Sequence, residues 1–454
     1  MLTDLELAYN ALMAKKPIYD KYFNYFDGNQ PLIYSTEKLK EIFGNIDARF
    51  TQNWCSIVVD AVLERLSLMS FVVNENEAAT DVINDLYQST EMNLDSDAVH
   101  LAALVCGEAF VVAWREDGDD PQAFYNDPRT CHVFYMPDNP RKKRFACKWW
   151  TDDANYCHMT LYYPDRLEYY VTISPLQTDA VISAKSFKAA EPPAETNPHG
   201  EVPVFHYVRE RRGIKSELLN IIEMQDAINK LLSDMMVAAE FGAFPQRYVI
   251  SQMEIKKGQL ANTPGNIWRL NAGDNEGQGT AVGQLAAAEL GNYLQAIEQT
   301  VSSVAVISRT PKHYFLTQSG DPSGEALIAM EAPLNKKAQK YIDRFSATWR
   351  DLARFLLKLS SIVVEATDIT ATFDQPATVQ PMTQAIIRKT NVESGIPLTT
   401  QLRDEGWTEQ ELDAMQADKE AEQASNKAGL GAALLNAQAG FDRGDNQDDE
   451  GVTA

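Results

Sequence analysis

The sequence lacks the long apolar runs and the leader pattern that direct a chain into or across a membrane. No stretch approaches the roughly 18 to 20 consecutive apolar residues that a membrane-spanning helix needs. The first residues, MLTDLELAYNALMAKKP, do not show the basic-then-apolar order of a signal peptide. These absences predict a soluble protein that is made and kept in a cytoplasm and has no membrane partner.

Cysteine is scarce: the chain of 454 residues has five, Cys55, Cys106, Cys131, Cys147 and Cys157. An odd number of cysteines in a large chain without a secretory signal does not fit a disulfide framework. We therefore expect the thiols to be reduced and mostly structural.

The motifs of common enzymatic chemistry are also missing. The sequence has no GxxxxGKS/T phosphate-binding loop, no HExxH, no CxxC pair and no GxSxG nucleophile elbow. The adjacent pairs Cys131-His132 and Cys157-His158 cannot by themselves supply the four ligands of a zinc site. The sequence predicts a protein that is not an enzyme and that needs no metal or other cofactor.

Basic residues are fewer than acidic ones: the chain has 41 Lys and Arg and 64 Asp and Glu, which gives a formal net charge of −23. A protein that grips nucleic acid over a wide surface needs Lys and Arg to neutralise phosphates. The balance excludes that class of binding surface. Any contact with DNA is expected to be local.

The apolar fraction, 44%, is enough to fold most of the chain into about two to four packing units. Residues 1–115 read as mostly helical, with a turn-rich break at residues 26–31. Between residues 109 and 182, five aromatic and β-branched runs predict an antiparallel sheet: AFVVAW, CHVFYM, RFACKWW, HMTLYY and EYYVTI. We expect the polar, proline-containing residues 188–203 to end this sheet as a loop.

Helical spacing returns beyond Ser216, a plausible N-cap, and a first helix is expected to stop near Gly242. A small glycine-rich insertion, a second helix ending before Pro311 and a loop follow. A long helix is then predicted over residues 323–364, with a kink or break caused by Pro333. Short helices follow Pro381, and we expect the last thirty or so residues to be disordered or ordered only by a partner.

Six stretches, taken in order, resemble the portal proteins of long-tailed bacteriophages: YFNYFDGNQPL at residues 22–32, NWCSIVVD at 53–60, GEAF at 107–110, VPVF at 202–205, SELLNIIEMQDAINK at 216–230 and SGEAL at 323–327. The likeness runs over approximately residues 15 to 375. It agrees with the order of helix, insertion, helix, loop and long helix read from the periodicity. The C-terminal region is shorter than is usual in the family, which leaves the size of its last domain open.

The resemblance implies an α+β portal fold whose long helices and antiparallel β region build a ring-forming subunit. Residues 1–216 would form the N-terminal wing, helices and then sheet. The remaining parts would follow in order: a stem helix at 217–244, a clip at 245–283, a returning stem helix at 284–308, a tunnel loop at 309–322, a long wing helix at 323–375, and a crown with a flexible acidic tail at 376–454.

The same resemblance implies a function and a set of partners. The protein would be a subunit of a ring, of about twelve copies in the virion, at one capsid vertex, where double-stranded DNA enters and leaves. Partners would be the terminase large subunit, the major capsid and scaffolding proteins and a head-completion adaptor. The protein would reside in the host cytoplasm during assembly and afterwards in the virion.

Two sets of residues are predicted to carry contacts. In the tunnel loop they are Arg309, Lys312, His313, Tyr314 and Gln318, which would face DNA; packing between neighbouring subunits explains them equally well. In the clip they are Lys256, Lys257 and Arg269, which would meet the packaging motor or the head-completion proteins. For each clip residue the alternative is a solvated turn without a partner.

Two other functions remain open at the level of sequence. The first is another ring or shell protein of a phage, such as an adaptor or capsid subunit. The second is a metal-dependent nuclease that uses Asp226 and Asp234, which lie eight residues apart and close to one face of a helix. Subunit shape would separate the first alternative from a portal, and metal-dependent cleavage would reveal the second.

Overall fold

The computed structural model describes residues 3–31, 52–116, 119–176, 183–243, 247–250, 281–284, 289–315, 323–376, 381–404, 412 and 414–420. The chain divides into two compact units, Met1–Ala377 and Thr378–Ala454. The described part of the second unit contains helices α8 (Pro381–Glu393) and α9 (Leu398–Asp404), and residues 414–420 are also helical.

The described residues of the N-terminal part of the first unit contain four helices, as predicted: α1 (Asp4–Phe26), α2 (Trp54–Leu63), α3 (Glu77–Ser89) and α4 (Met92–Cys106). Polar side chains cap three of their amino ends. Thr3 forms a capping box with Glu6, while Asn53 and Asn76 accept hydrogen bonds from backbone N–H groups of the first turn. The predicted turn is also present, because α1 ends at Phe26.

The β region forms two antiparallel sheets rather than one. Strands β4 (Cys131–Tyr135), β5 (Lys143–Thr151), β6 (Cys157–Tyr162), β7 (Arg166–Thr172) and β8 (Phe187–Thr196) pair in chain order. The other sheet has the order β3 (Gln122–Asn126), β2 (Glu108–Trp114), β9 (Val204–Val208). All five predicted runs lie on strands.

The predicted loop over residues 188–203 is wrong, because most of it belongs to the edge strand β8. Among the described strands, β8 pairs on one side only, with β7. Pro192 and Pro193 lack the N–H that a central strand must donate, but an edge strand can spare it. The prediction failed because proline excludes a central strand but is compatible with an edge strand.

The layers of the first unit stack in a simple order. Helix α1 packs Ala8 and Leu12 on one face of the five-stranded sheet. The opposite face packs against the three-stranded sheet through residues such as Val133 and Phe110. Beyond that second sheet lies the largest apolar cluster, where Trp349 of the long helix is completely buried.

The rest of the first unit contains the predicted succession of helix, insertion, helix and long helix. Its elements are α5 (Ile222–Ala243), β10 (Arg247–Ile250), β11 (Ala281–Gln284), α6 (Leu290–Ser308), α7 (Gly324–Leu359) and β12 (Ile369–Phe373). β10 and β11 form an antiparallel pair, and α5 packs against α6. β12 pairs with β1 (Leu68–Val73), a strand inside the region that we predicted as helical.

Three predicted helix features need correction. α5 begins at Ile222, not next to Ser216, whose hydroxyl accepts the Leu218 N–H within a preceding turn. α7 ends at Leu359 instead of continuing to 364. Of the kink or break predicted at Pro333, the break is wrong: α7 continues through Pro333, because from Leu334 onward one side of the helix is buried and packing outweighs one lost hydrogen bond.

The five cysteines are free and buried, as expected for structural thiols. Among the described residues no helix is long and apolar enough to span a membrane.

Candidate functional site

The helix pair α5 and α6, which would form the stem, is held to the rest of the first unit at one end by side-chain amides. The Gln225 amide donates to the Gln52 carbonyl at 2.5 Å and accepts from the Trp54 N–H at 2.8 Å. The Tyr25 hydroxyl donates to Asp226 at 2.7 Å. Gln225 is completely buried, so these bonds fix where α5 leaves the core.

Away from this packed end, few described side chains of α5 and α6 are buried within the single chain. On α5 no described side chain beyond Asn229 is buried, and on α6 the apolar residues Leu290 and Leu294 are exposed. The buried residues of α6 start at Ile297. The described part of the pair thus runs from a packed end to an end that exposes apolar and polar groups.

The chain turns sharply where α6 ends. Arg309 has left-handed backbone geometry, with φ of 59°, and its side chain is exposed. Lys312 is exposed as well, and the buried Lys337 of α7 donates to the Ser308 carbonyl at 2.6 Å. A fixed turn therefore presents two cations that have no ion pair among the described residues.

The aromatic residues that follow point inward. The Tyr314 hydroxyl accepts a hydrogen bond from Arg65 of the segment after α2 at 2.9 Å. Phe315 is buried and its ring centroid lies 5.7 Å from that of Trp54. His313 lies 3.8 Å from Glu331 of α7. Of the predicted tunnel-loop residues, Arg309 and Lys312 face solvent, whereas His313 and Tyr314 contact their own chain.

Two exposed apolar side chains lie beside this cationic turn. Val306 is 78% exposed and Ile307 is 46% exposed on the last turn of α6. Together they form a small exposed apolar patch at the end of α6.

The other predicted contact residues, Gln318 of the loop and Lys256, Lys257 and Arg269 of the clip, lie outside the described residues. The two aspartates of the nuclease alternative have separate partners. Asp226 accepts from Tyr25, and Asp234 pairs with Lys230 one turn earlier on α5. Within the described ranges, no group of three or more His, Cys, Asp or Glu side chains is placed to hold a metal ion.

Sequence reasoning missed a charged network between α7 and the segment that precedes α5. Glu217 receives Arg209 at 2.7 Å, Lys337 at 2.5 Å and the Tyr341 hydroxyl at 2.8 Å. Arg209 also donates to the carbonyl of Lys215 at 2.7 Å. The partners are up to 132 residues apart in sequence, so no local spacing indicates them.

Comparison with known proteins gives consistent matches. A family model described as "Phage portal protein, SPP1 Gp6-like" matches residues 7–426. The portal protein of Mycobacterium phage L5 is 24% identical over 355 residues, which cover 72% of this chain and 70% of that protein. The portal protein of Mycobacterium phage D29 is 23% identical over 328 residues, 67% of this chain.

Among solved structures, a chain of the "Virion of native gene transfer agent (GTA) particle" shares 11% sequence identity with a TM-score of 0.45. The match covers 75% of this chain and 85% of that one. The match to the D29 protein spans 64% of the length of that relative.

Proposed function

The chain belongs to the phage portal protein family, SPP1 Gp6-like, and we propose that it is the subunit of the portal ring at one vertex of a phage capsid. Copies would close around a channel through which double-stranded DNA enters during packaging and leaves during ejection. The observation that carries the proposal is the family match over residues 7–426, nearly the whole chain. The proposed role is mechanical and structural rather than catalytic.

The arrangement of the helix pair supports this role. A closed ring needs side-by-side surfaces that remain open in the single chain. The exposed Leu290 and Leu294 of α6, and Val306 and Ile307 near its end, supply such surface. We propose α5 and α6 as the stem, and the residues between them, 245–283, as the clip that docks the terminase motor and the head-completion proteins.

The first test is to image the purified protein by electron microscopy and to count its subunits by native mass spectrometry. We expect rings of about twelve copies around a channel wide enough for duplex DNA. A compact small oligomer with nuclease activity, or a closed shell, would contradict the proposal.

Within this role we propose that Arg309 and Lys312 face the DNA, since both are exposed cations on a fixed turn. Replacing both with alanine is expected to leave ring formation intact and to lower the amount of DNA packaged or retained. The matched control is the alanine pair at Lys185 and Lys188, two exposed cations near the start of β8. Equal packaging by the two double variants would assign Arg309 and Lys312 to another role.

A further inference from the structure

An exposed cationic loop projects from one end of the three-stranded sheet. The loop, residues 210–215, carries Arg211, Arg212 and Lys215, and all three side chains are exposed. None of them has an ion-pair partner in the described part of the chain. Ile214, between the charges, is 40% exposed. Such a concentration of unpaired cations stands out in a chain with a net charge of −23.

The base of this loop is held rigidly. The Arg209 guanidinium donates to the carbonyl of Lys215 at 2.7 Å, to Glu217 at 2.7 Å and to the Tyr341 hydroxyl at 2.7 Å. On the other side the Lys215 backbone comes so close to Gly107 that a Cβ there would lie 2.6 Å from its carbonyl oxygen. The loop is therefore fixed at both ends while its cations project outward. Little conformational entropy is lost when such a loop binds.

A cleft of about 1410 Å³ lies between the two sheets. Its floor is aromatic and is formed by Trp114, Phe124, Tyr162 and Tyr169. Its rim carries four exposed carboxylates, those of Glu116, Asp119, Asp120 and Glu195.

The rim carboxylates are poorly neutralised. Glu195 accepts the Tyr169 hydroxyl at 2.8 Å, and the other three have no ion pair in the described ranges. Arg115 is the one basic residue among the described lining residues, and its guanidinium donates to backbone carbonyls of Asp119 and Leu359. An aromatic floor with an unpaired acidic rim fits a cationic segment with an apolar residue in it.

The loop and the cleft lie at opposite ends of the same strand, β2. Glu108 pairs with Val208, two residues before the loop, whereas Trp114 pairs with Gln122 and both line the cleft. The six residue steps between Glu108 and Trp114 correspond to roughly 20 Å. The two features cannot meet within one chain, but a head-to-tail contact between copies brings them together, and such contacts close into a ring when the rotation allows.

We propose that loop 210–215 of one copy docks into the cleft of the next copy in the portal ring. Arg211 and Arg212 meet the rim carboxylates of Glu116, Asp119 and Asp120, and Ile214 rests on the aromatic floor. The inference rests on the proposed ring. It favours a second copy over DNA because an acidic cleft repels phosphate, and one partner, the chain itself, satisfies both the loop and the cleft.

Charge reversal tests this contact. Arg211→Glu with Arg212→Glu places acid against acid, and Glu116→Arg with Asp120→Arg places base against base. Each double variant is expected to raise the protein concentration needed for half-assembly of rings by at least about tenfold. The chain that carries all four substitutions restores complementarity and is expected to assemble within about threefold of the wild type. The matched control is Lys185→Glu with Lys188→Glu, which carries the same change of charge elsewhere and is expected to assemble like the wild type.

Engineered cysteines give a second readout that is independent of charge. The five native cysteines are buried, so an exposed pair dominates the chemistry. We would mix a chain carrying Ile214→Cys with one carrying Phe124→Cys under mild oxidation. Covalent dimers are expected from the mixture and not from either variant alone, because the contact joins two different surfaces.

The outcomes separate the inference from the function on which it rests. A wild type that forms no ring under any condition contradicts the proposed function and the contact together. If both double variants still assemble into rings like the wild type, the contact alone is overturned. The same holds if the chain with all four substitutions does not regain ring assembly. Loss of DNA binding by the loop variant with unchanged assembly would assign the loop to phosphate and likewise overturn the contact.

Discussion

At the scale of single residues, the most constrained charge is Glu108, which is completely buried on β2. Its carboxylate receives Lys15 at 2.5 Å, the Tyr19 hydroxyl at 2.5 Å and His206 at 2.9 Å. Burial by itself would raise the pKa of Glu108, but the hydrogen bond from His206 and the charge of Lys15 bring it down to about 2. The carboxylate thus joins α1 to the three-stranded sheet as an anion.

We expect Glu108→Ala to lower the free energy of unfolding by about 3 to 5 kcal/mol, because it leaves the Lys15 ammonium and two polar groups without their buried partner. Thermal and denaturant unfolding measure the change. The control is Glu298→Ala on the exposed side of α6, expected to stay within about 0.5 kcal/mol of the wild type. A similar small effect for both variants would mean that neighbouring groups compensate for the lost carboxylate.

His100 gives the chain a dependence on acid. It is completely buried, stacks on Phe345 and accepts the Trp349 indole N–H at 3.0 Å, so burial lowers its pKa from 6.5 to about 3. Between those two values the unfolded chain binds a proton that the folded chain excludes. Stability contributed by the neutral ring is therefore complete above about pH 6.5 and declines as the pH falls. His132, with its pKa also lowered to about 3 by burial, acts in the same direction.

Replacing His100 with glutamine removes one of these titrations. Unfolding free energies measured between pH 4.5 and 6.5 are expected to change less steeply with pH, by up to about 1.4 kcal/mol per pH unit for one histidine. The absolute stability of the variant can differ without affecting this readout. An unchanged slope would show that His100 does not supply the excluded proton.

At the scale of elements, the segment 209–217 is joined to α7 by charge rather than by an apolar stripe. Arg209, Glu217 and Lys337 form its centre, and Arg344 adds a bond to the Arg209 carbonyl. Patterns of apolar residues predicted α7, but they carry no information about this junction. Two residues of the stretches that resemble portal proteins have a structural role here. Gly107 allows the Lys215 backbone to approach closely, and Glu217 accepts hydrogen bonds from three donors.

Arg209→Ala is expected to destabilise the first unit by about 2 to 4 kcal/mol, since it leaves the Glu217 side chain, only 6% exposed, underpaired and removes the donor to the carbonyls of Lys215 and Ser216. Amide hydrogen exchange in residues 210–217 is expected to become faster. Lys188→Ala, at an exposed position of β8 and away from this loop, serves as the control and should leave both measurements unchanged. Unaltered exchange in Arg209→Ala would mean that packing against Gly107 alone fixes the loop.

At the scale of the whole molecule, the two compact units differ in how they are stabilised. The three apolar clusters of the described residues contain no residue after Phe373. We therefore expect a chain of residues 1–377 to fold alone and to keep the main thermal transition of the full protein. Calorimetry of both chains checks this. A lower midpoint for the shortened chain would show that residues 378–454 stabilise the first unit.

Much of the architecture follows from sequence periodicity because it is a local property. The helical spacing, the five strand runs and the succession from α5 to α7 are each visible in a short window of residues. The cationic turn at Arg309 and Lys312 was also predictable, because Pro311 marks the end of α6. The inward contact of Tyr314 with Arg65 was not, since 249 residues separate the two.

The sequence by itself determined the class of the chain: its α+β order, its lack of enzymatic and membrane motifs, and its resemblance to portal proteins. Tertiary structure alone decided which distant segments pair, as in β1 with β12, and whether a proline-rich stretch is a loop or an edge strand. It also decided that Glu108 is buried and that cations and carboxylates without an ion pair among the described residues lie at opposite ends of β2. The physical reason is that pairing, burial and charge neighbours depend on residues far apart in sequence, whose proximity only packing creates.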